Sequence, residues 1–260
     1  MTSMIDLQWH DDVAHIVLAR PETRNAQDPS MWNDLSSISN EVGGRARVVI
    51  VRSLGPSFSA GLDRRLLTGD PSLGGHSLIA LAQSGAEALR EFITGAQRAF
   101  TWLRTCPAIT IAAVQGHAVG AGFQLALSCD LMIVASDAQL AMRETSLGLV
   151  PDLGGISPLV ERVGPARALE ICATGRWIDA DEAVATGVAT GHAPEGSVGE
   201  AAQALAETLR RAPEGALREL KPLVLKASRR SLGDQLEAER EAQIRRILEL
   251  TGLPVMQHTD

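Results

Sequence analysis

Two short segments of the sequence are rich in glycine and other small residues. Residues 57–63 read Ser-Phe-Ser-Ala-Gly-Leu-Asp, and residues 116–124 read Gly-His-Ala-Val-Gly-Ala-Gly-Phe-Gln. Small residues let a ligand approach the backbone closely, and free N–H groups at the start of a helix favour an anion. Two such turns facing each other would form an oxyanion hole, in which backbone N–H groups stabilise developing negative charge. Taken singly, each turn is more typical of tight packing between a strand and a helix.

The motifs of several other enzyme classes are absent from the sequence. Gly116, Gly120 and Gly122 have the spacing Gly-x-x-x-Gly-x-Gly, which is neither the dinucleotide motif Gly-x-Gly-x-x-Gly nor a P-loop. There is no Gly-x-Ser-x-Gly nucleophile elbow and no His-Glu-x-x-His, and the six histidines are scattered. We therefore expect neither a nucleotide site nor the usual α/β-hydrolase nucleophile, and we expect no metal site.

Two acids follow the second glycine-rich turn, and each has a catalytic and a structural interpretation. A carboxylate beside an apolar pocket can have its proton affinity tuned for proton transfer, which would suit Glu144 and Asp152. Alternatively, Glu144 is a surface side chain that pairs with Arg143. Asp152 would then cap a helix that starts near Ile156, since Asp is a favoured N-cap residue.

The elements that position these residues alternate between strands and helices in the first half of the chain. β-Branched runs predict strands over residues 13–18, 46–52, 108–114 and 131–135. Helical spacing of apolar residues predicts helices over residues 29–42, 166–173, 179–186, 198–211 and 214–247. Residues 68–95 are the least regular part. The alternation predicts a parallel sheet, with one α/β core over residues 1–195 and a helical C-terminal region of the same domain over residues 196–260.

The composition narrows the class of protein further. A chain of 260 residues with 45% hydrophobic and 21% charged residues is long enough for a large buried core. Its formal net charge of −7 disfavours nucleic acid and anionic membrane surfaces as partners. The longest apolar run is too short to span a bilayer, and we see no secretory signal. Three widely spaced cysteines without a Cys-x-x-Cys motif favour a reducing cytoplasm.

Four motifs in a fixed order resemble the enoyl-CoA hydratase/isomerase family, the crotonase superfamily. Residues 21–26 resemble its Pro-x-x-x-Asn-Ala segment, and residues 58–63 resemble its Phe-x-Ala-Gly-x-Asp turn. Residues 113–122 are similar to its second glycine turn and are followed by Ser-Cys-Asp at 128–130. Residues 144–155 resemble its Glu-x-x-x-Gly…Pro-x-x-Gly-Gly stretch. Together the motifs cover nearly the whole chain.

The resemblance implies a ββα spiral core with a helical C-terminal trimerisation region, in homotrimers or in hexamers built as dimers of trimers. It implies an acyl-CoA thioester as substrate, so that coenzyme A belongs to the substrate and no separate cofactor is needed. The shared chemical step is stabilisation of a thioester enolate by two backbone N–H groups. By position these belong to Leu62 and Ala121. For the coenzyme A part, the resemblance points to Ala26, Ala60 and Leu62 through their backbone, to Arg24 or Arg64 near phosphate, and to the motif residue Asp63.

The acidic positions distinguish the activities within the family. Hydratases carry two glutamates that hold and activate a water, whereas this sequence has Gln124 at the first of these positions and Glu144 at the second. An amide can hold a water but cannot take its proton at neutral pH. Residues 143–148 look like Δ3,Δ2-enoyl-CoA isomerases, which typically keep a single glutamate. We therefore predict an enoyl-CoA isomerase with Glu144 as acid and base. Asp152 and Gln124 are the further candidate catalytic residues.

Two alternatives stay open at this point. The first is an enoyl-CoA hydratase in which Gln124 orients water for Glu144, and the second is a non-catalytic acyl-CoA-binding protein. Asp152 matches an aspartate that dienoyl-CoA isomerases carry, where two acids on opposite faces of the substrate would move a proton along a longer conjugated path. We expect the pocket walls to come from residues 68–95 and from the region of Trp102.

Overall fold

The computed structural model describes residues 4–69 and 77–253. It divides into two compact units, Met1–Glu207 and Thr208–Asp260. The strands are β1 Ile5–His10, β2 Val13–Leu18, β3 Val48–Ser53, β4 Ile109–Val114, β5 His117–Val119, β6 Leu131–Ala135, β7 Gln139–Ala141, β8 Ile178–Asp179 and β9 Gly191–Ala193. The helices are α1 Pro29–Val42, α2 Arg65–Thr68, α3 Leu78–Gln83, α4 Ala86–Thr105, α5 Ala121–Leu127, α6 Ile156–Val163, α7 Pro165–Thr174, α8 Ala180–Ala185, α9 Val198–Arg210, α10 Glu214–Lys226 and α11 Leu232–Thr251.

The larger sheet of the first unit has six strands in the order β1-β2-β3-β4-β6-β9. The strands from β2 onward run parallel, and β1 pairs antiparallel with β2 at the edge. All six residues of β2 are buried, as expected of a strand covered on both faces. The predicted parallel α/β core is therefore confirmed, with the predicted bounds of β2, β6 and α1 matching those observed.

A second sheet of three short strands, in the order β5-β7-β8, lies in the same unit. Its strands have two or three residues each, too few to show an alternating pattern in the sequence. This sheet fixes the start of the second glycine-rich turn, because residues 117–119 of that turn form β5. Pairing of β5 with β7 is parallel and continues into a hydrogen bond from Gly120 N to Ala141 O at 2.8 Å.

Helix α4 contributes the main helical face of the hydrophobic core. Ala96, Ala99, Phe100 and Leu103 recur at helical spacing and are buried. The Trp32 ring of α1 meets Phe100 edge to face, with 6.5 Å between the ring centroids. The predicted irregular stretch 68–95 contains α3 and the start of α4, while its residues 70–76 lie outside the described part.

The second unit contains α10 and α11, where the sequence pattern predicts one continuous helix over residues 214–247. That prediction is wrong, because a 3-10 turn over Ala227–Arg229 separates the two helices. Ser231 then starts α11 as its N-cap, with its side chain accepting a hydrogen bond from Asp234 N. The predicted division of the domain after residue 195 stays a prediction.

Candidate functional site

The two glycine-rich turns follow β3 and β4 and lie against each other. Ser59 is at the centre of their contact: its N–H donates to the His117 carbonyl, and its own carbonyl accepts from Val119 N, both at 3.0 Å. Because β3 and β4 are parallel neighbours, their carboxyl ends meet at one edge of the sheet. The expected facing of the turns is confirmed by these hydrogen bonds.

Glycine is required where the two turns approach most closely. Gly61 has φ +84°, and a Cβ atom there would lie 2.3 Å from the Val119 carbonyl oxygen. A Cβ atom at Gly122 would lie 2.6 Å from the Ser59 carbonyl oxygen. No side chain fits into such contacts without moving backbone, so the small residues serve the approach of two backbones.

Two backbone N–H groups remain available at this contact. Gln27 pairs with the segment on either side of Leu62, donating to Gly61 O at 2.7 Å and accepting from Asp63 N at 2.8 Å. Ala121 is the first residue of α5, where a helix has no acceptor for its N–H. Within residues 4–69 and 77–253, neither Leu62 N nor Ala121 N donates a hydrogen bond. The pair is thus chemically suited to bind an oxyanion.

A cavity of about 830 Å³ adjoins both turns. Leu62 and Ala121 line it together with the acids Glu144 and Asp152. Part of its wall is apolar and comes from α1, from α2 and from one face of α3 and α4, namely Trp32, Leu67, Leu78, Leu89, Phe92 and Ile93. A cavity of this size with a few convergent polar groups is typical of a binding site for a small molecule.

Glu144 begins a 3-10 helix and is one of the residues that line this cavity. Its Oε1 atom accepts a hydrogen bond from Gln124 Nε2 at 2.6 Å. Its Oε2 atom is buried and has no hydrogen-bond partner among the described residues. The alternative of a surface side chain paired with Arg143 is wrong, because the Arg143 guanidinium lies instead over the Trp177 ring, 4.9 Å from its centroid.

Gly120 provides the space for this carboxylate next to the second turn. It has φ +51° and ψ −117°, a backbone conformation that glycine adopts readily and residues with a Cβ atom rarely adopt. A Cβ atom at position 120 would lie 3.3 Å from Glu144 Oε1. The carboxylate is therefore held against the residue that precedes Ala121.

The Gln124 side chain is fully buried on α5, and each end of its amide has a partner. Oε1 accepts hydrogen bonds from Leu153 N at 2.9 Å and Gly155 N at 3.3 Å. At the other end, Nε2 donates to the Glu144 carboxylate. Because two N–H donors face one end and a carboxylate faces the other, only one orientation of the amide satisfies all of these groups.

Asp152 lines the cavity and does not cap the following helix. Helix α6 begins after Gly155, which makes no side-chain cap, so the interpretation of Asp152 as N-cap is wrong. The backbone carbonyl of Asp152 accepts a hydrogen bond from Gln97 Nε2 at 2.7 Å, which ties the loop to α4. Tertiary structure thus brings together two acids that lie eight positions apart along the chain.

Burial alters the proton affinity of both acids. It raises the pKa of Glu144 above its ordinary value, and the negative charge of Asp152 raises it further, while the hydrogen bond from Gln124 opposes the rise. Burial likewise raises the pKa of Asp152. Two carboxyl groups with raised pKa values in one cavity are typical of a site for proton transfer.

The residues predicted to bind the coenzyme A part divide into two groups. Arg24, Ala60 and Arg64 line the cavity, and both guanidinium groups are exposed. Ala26 and Asp63 are not among the lining residues of the described chain. Asp63 forms an ion pair with Arg65 at 2.6 Å, and the hydrogen bond from Arg65 lowers the pKa of Asp63. The Asp63 carboxylate is therefore engaged within the chain, and its role in substrate binding stays a prediction.

Sequence reasoning missed the structural role of Asn25 in the site. Asn25 is buried and donates hydrogen bonds from Nδ2 to Leu54 O at 3.0 Å and to Ser57 O at 2.9 Å, which anchors the first turn. The predicted wall from residues 68–95 is confirmed by Leu78, Leu89, Phe92 and Ile93. Trp102 is not in the wall and packs against the core. Helical spacing along α4 was the available signal for its cavity-facing residues.

Residues 8–249 match the family described as Enoyl-CoA hydratase/isomerase. The chain belongs to this family. The putative enoyl-CoA hydratase/isomerase YhaR of Bacillus subtilis is 31% identical over 234 residues, covering 90% of this chain and 86% of YhaR. The mitochondrial Delta(3,5)-Delta(2,4)-dienoyl-CoA isomerase of Dictyostelium discoideum is 32% identical over 173 residues, covering 66% of this chain. The match spans 58% of the Dictyostelium protein's length.

Solved structures of enoyl-CoA hydratase/isomerase relatives agree with the fold. A putative enoyl-CoA hydratase from Thermobifida fusca, crystallised in complex with acetoacetyl-CoA, superposes with a TM-score of 0.90 at 41% identity. The match covers 95% of this chain and 96% of that chain. The crotonase-type α/β fold is thereby confirmed, and the chain is an enzyme of the crotonase superfamily.

The structure was also searched for membrane-spanning helices and for groups of metal-ligating side chains. Within residues 4–69 and 77–253, every helix is too short or too polar to cross a membrane. Over the same ranges, no three His, Cys, Asp or Glu side chains are grouped as metal ligands.

Proposed function

We propose that this protein is an enoyl-CoA isomerase that moves a double bond from C3=C4 to C2=C3 of an acyl-CoA thioester. The observation that carries the proposal is the pairing of Glu144 with Gln124 beside the second turn. One carboxylate there can transfer a proton, whereas its hydrogen-bonded neighbour is an amide that cannot. A double-bond shift needs one group that takes a proton and returns it elsewhere.

The reaction proceeds through an enolate. Glu144 Oε2 takes a proton from C2, and the electron pair of that C–H bond moves into the thioester carbonyl. The N–H groups of Leu62 and Ala121 hold the resulting oxyanion, which is conjugated with C3=C4. Glu144 returns the proton to C4, the carbonyl reforms, and the new double bond joins C2 and C3. No atom is gained or lost, so no separate cofactor is required.

The raised pKa of Glu144 supports this role. A carboxylate with an ordinary pKa is a weak base for a carbon acid, and burial makes Glu144 a stronger one. Arg24 and Arg64, at the exposed side of the first turn, are suited to the phosphates of coenzyme A. The Thermobifida fusca relative was crystallised with acetoacetyl-CoA, which supports an acyl-CoA as the ligand class.

A paired assay tests the proposal. Wild type and Glu144→Gln are each given trans-3-enoyl-CoA and trans-2-enoyl-CoA, and the products are separated by chromatography. We expect double-bond migration by the wild type and a loss of about 10²–10⁴-fold in Glu144→Gln. Glu195→Gln, which changes an exposed glutamate, is the matched control. Rapid formation of 3-hydroxyacyl-CoA would instead identify a hydratase in which Gln124 suffices to hold water.

Asp152 supports a second candidate within the isomerases. Two acids lining one cavity suit a substrate with two conjugated double bonds, where the proton leaves one carbon to one acid and the other acid protonates a more distant carbon. The Dictyostelium relative is named a dienoyl-CoA isomerase. Turnover of a 3,5-dienoyl-CoA that exceeds turnover of trans-3-enoyl-CoA, and that falls in Asp152→Asn, would favour this candidate.

Assembly and location are further proposals that rest on the resemblance. We infer homotrimers, alone or paired into hexamers, with the helices after Pro165 contributing the contacts between subunits. Sedimentation equilibrium of the full chain distinguishes three copies from six, and a monomer would contradict both. We also infer a cytoplasmic location, which fractionation of the source cells would test.

A further inference from the structure

The Gln124 amide connects the loop that carries Asp152 to the carboxylate of Glu144. On one side, Leu153 N and Gly155 N donate to its Oε1, and on the other its Nε2 donates to Glu144 Oε1 at 2.6 Å. The loop packs so closely that a Cβ atom at Gly155 would lie 2.7 Å from Gln124 Cγ. A buried amide with partners at both ends has little freedom to rotate.

The two oxygens of Glu144 consequently have different surroundings. Oε1 lies against Gly120 and accepts a hydrogen bond from Gln124 Nε2, which uses one of its lone pairs. Oε2 has no hydrogen-bond partner among the described residues. The oxygen without a donor can take a proton with both of its lone pairs free, whereas Oε1 has already committed one lone pair to Gln124.

We propose that Gln124 is a positioning residue that reserves Glu144 Oε2 as the single oxygen that takes the substrate proton and returns it. This inference rests on the proposed function. Gln124 itself transfers no proton, which revises its predicted place among the catalytic residues. It acts through Glu144, by keeping the carboxylate in one rotamer and favouring its ionised form.

Because Gln124 favours the ionised form of Glu144, removing its hydrogen bond should raise the pKa of Glu144. A hydrogen bond from a donor to a carboxylate stabilises the charged state. Burial and, to a smaller extent, the negative charge of Asp152 raise the pKa of Glu144, and the Glu144 backbone N–H and the Gln124 side chain both oppose that rise. Without the donor, Glu144 becomes protonated at higher pH and ceases to act as a base there. The acidic limb of the kcat–pH profile therefore moves upward when the donor is removed.

Two variants remove the donor in different ways. Gln124→Met removes the whole amide but leaves the buried Leu153 N and Gly155 N without their acceptor, which lowers stability and endangers folding. Gln124→Glu keeps an acceptor for both N–H groups and replaces only the donor, placing a second carboxylate oxygen against Glu144. Ser128→Ala is the matched control, because Ser128 Oγ donates to the Gln124 backbone carbonyl at 2.9 Å and does not touch the amide.

The first readout needs no turnover. Infrared difference spectra follow the carboxyl absorption of protonated Glu144 during a pH titration, and the band that is lost in Glu144→Gln is assigned to Glu144. We expect the protonation midpoint to move upward by about one pH unit in Gln124→Met and further in Gln124→Glu, where two carboxyl groups share a proton. Ser128→Ala should keep the wild-type midpoint.

The second readout is kinetic. We expect kcat on the acidic limb to fall about tenfold for each unit of upward shift, with KM changed less, and to recover partly at higher pH. A uniform fall of kcat at every pH, with the limb and the infrared midpoint as in wild type, would overturn the positioning role and leave a structural one. A wild type that moves no double bond would contradict the proposed function, while the infrared midpoint would still decide the role of Gln124.

Discussion

Gln124 Nε2 lies 2.6 Å from Glu144 Oε1 and donates a hydrogen bond to it inside the cavity. The two residues are 20 positions apart in the chain, one on α5 and the other at the start of a 3-10 helix. An amide in this place cannot share the proton chemistry of the carboxylate, but it can hold the carboxylate in one orientation. In this pair Glu144 is the acid–base group, and Gln124 holds its carboxylate in place.

The pH dependence of isomerisation follows from the raised pKa of Glu144. An ordinary glutamate side chain has a pKa of about 4.5 and is ionised above that pH, whereas the raised pKa of Glu144 makes it take up a proton at higher pH. Because the base must be ionised, we expect kcat to fall with decreasing pH through a midpoint above 4.5. Steady-state kinetics over a pH series measures the midpoint, and one at or below that of an exposed glutamate would contradict the role of burial.

Asp152→Asn is expected to stabilise the protein at neutral pH. Burial raises the pKa of Asp152 in the folded state above the value of 3.8 of a solvated carboxyl. Such a group contributes stability that is fully present below pH 3.8 and is lost as the pH rises through the folded pKa. Asp152→Asn has no such titrating group. At neutral pH its free energy of unfolding should therefore exceed that of wild type by about 1.4 kcal/mol for each unit by which folding raises the Asp152 pKa.

Urea denaturation of wild type and Asp152→Asn at several pH values measures this gain. The difference in unfolding free energy should be near zero in acid and grow toward neutral pH, on top of any effect that does not depend on pH. A difference that stays constant with pH would show that the Asp152 pKa is unchanged by folding. The same variant removes a negative charge near Glu144, so the acidic limb of kcat should move downward.

Gly61→Ala is expected to disrupt the contact between the two turns. The new Cβ atom meets the Val119 carbonyl oxygen at 2.3 Å, and a positive φ of +84° costs a further 1–3 kcal/mol, approximately, in a non-glycine residue. We expect a large loss of stability together with loss of isomerisation, because Leu62 and Ala121 can no longer hold one oxyanion.

Gly85→Ala is the matched control for this substitution. Gly85 also has a positive φ, +105°, but an added Cβ atom there meets nothing within 4 Å. Its cost is therefore conformational alone, and kcat should stay near the wild-type value. Equal losses of stability and kcat in both variants, measured by urea denaturation and the isomerase assay, would refute the importance of the close approach.

Arg24→Ala and Arg64→Ala are expected to raise KM for acyl-CoA with little change in kcat. Loss of one charge-assisted hydrogen bond to phosphate corresponds to about a tenfold weaker interaction. The control is a truncated thioester without phosphates, for which variants and wild type should have the same KM. An equal rise in KM for the truncated substrate would place the effect elsewhere in the site.

Several elements could be predicted from residue types that repeat at a regular spacing. Apolar β-branched runs predicted β2 and β6 at their observed bounds, and helical spacing predicted α1. The two glycine-rich turns were recognised in the sequence as a possible oxyanion hole if they faced each other, and the parallel pairing of β3 with β4 brings them to the same edge of the sheet. The short strands β5, β7 and β8 and the break between α10 and α11 escaped notice, since two or three residues carry no periodic signal.

The residue types by themselves determined which chemistry is available: one glutamate and one aspartate for proton transfer, an amide in place of a further acid, and glycines where backbones must meet. Tertiary structure alone decided which of these groups touch. Glu144 contacts Gln124, and Asp152 lines the same cavity. Asp63 instead forms an ion pair with Arg65, and Trp102 packs against the core. The physical reason is that spacing along a chain constrains distance only within a helix or strand. Between elements, burial and hydrogen bonding select the partners, and with them the pKa values of the acids.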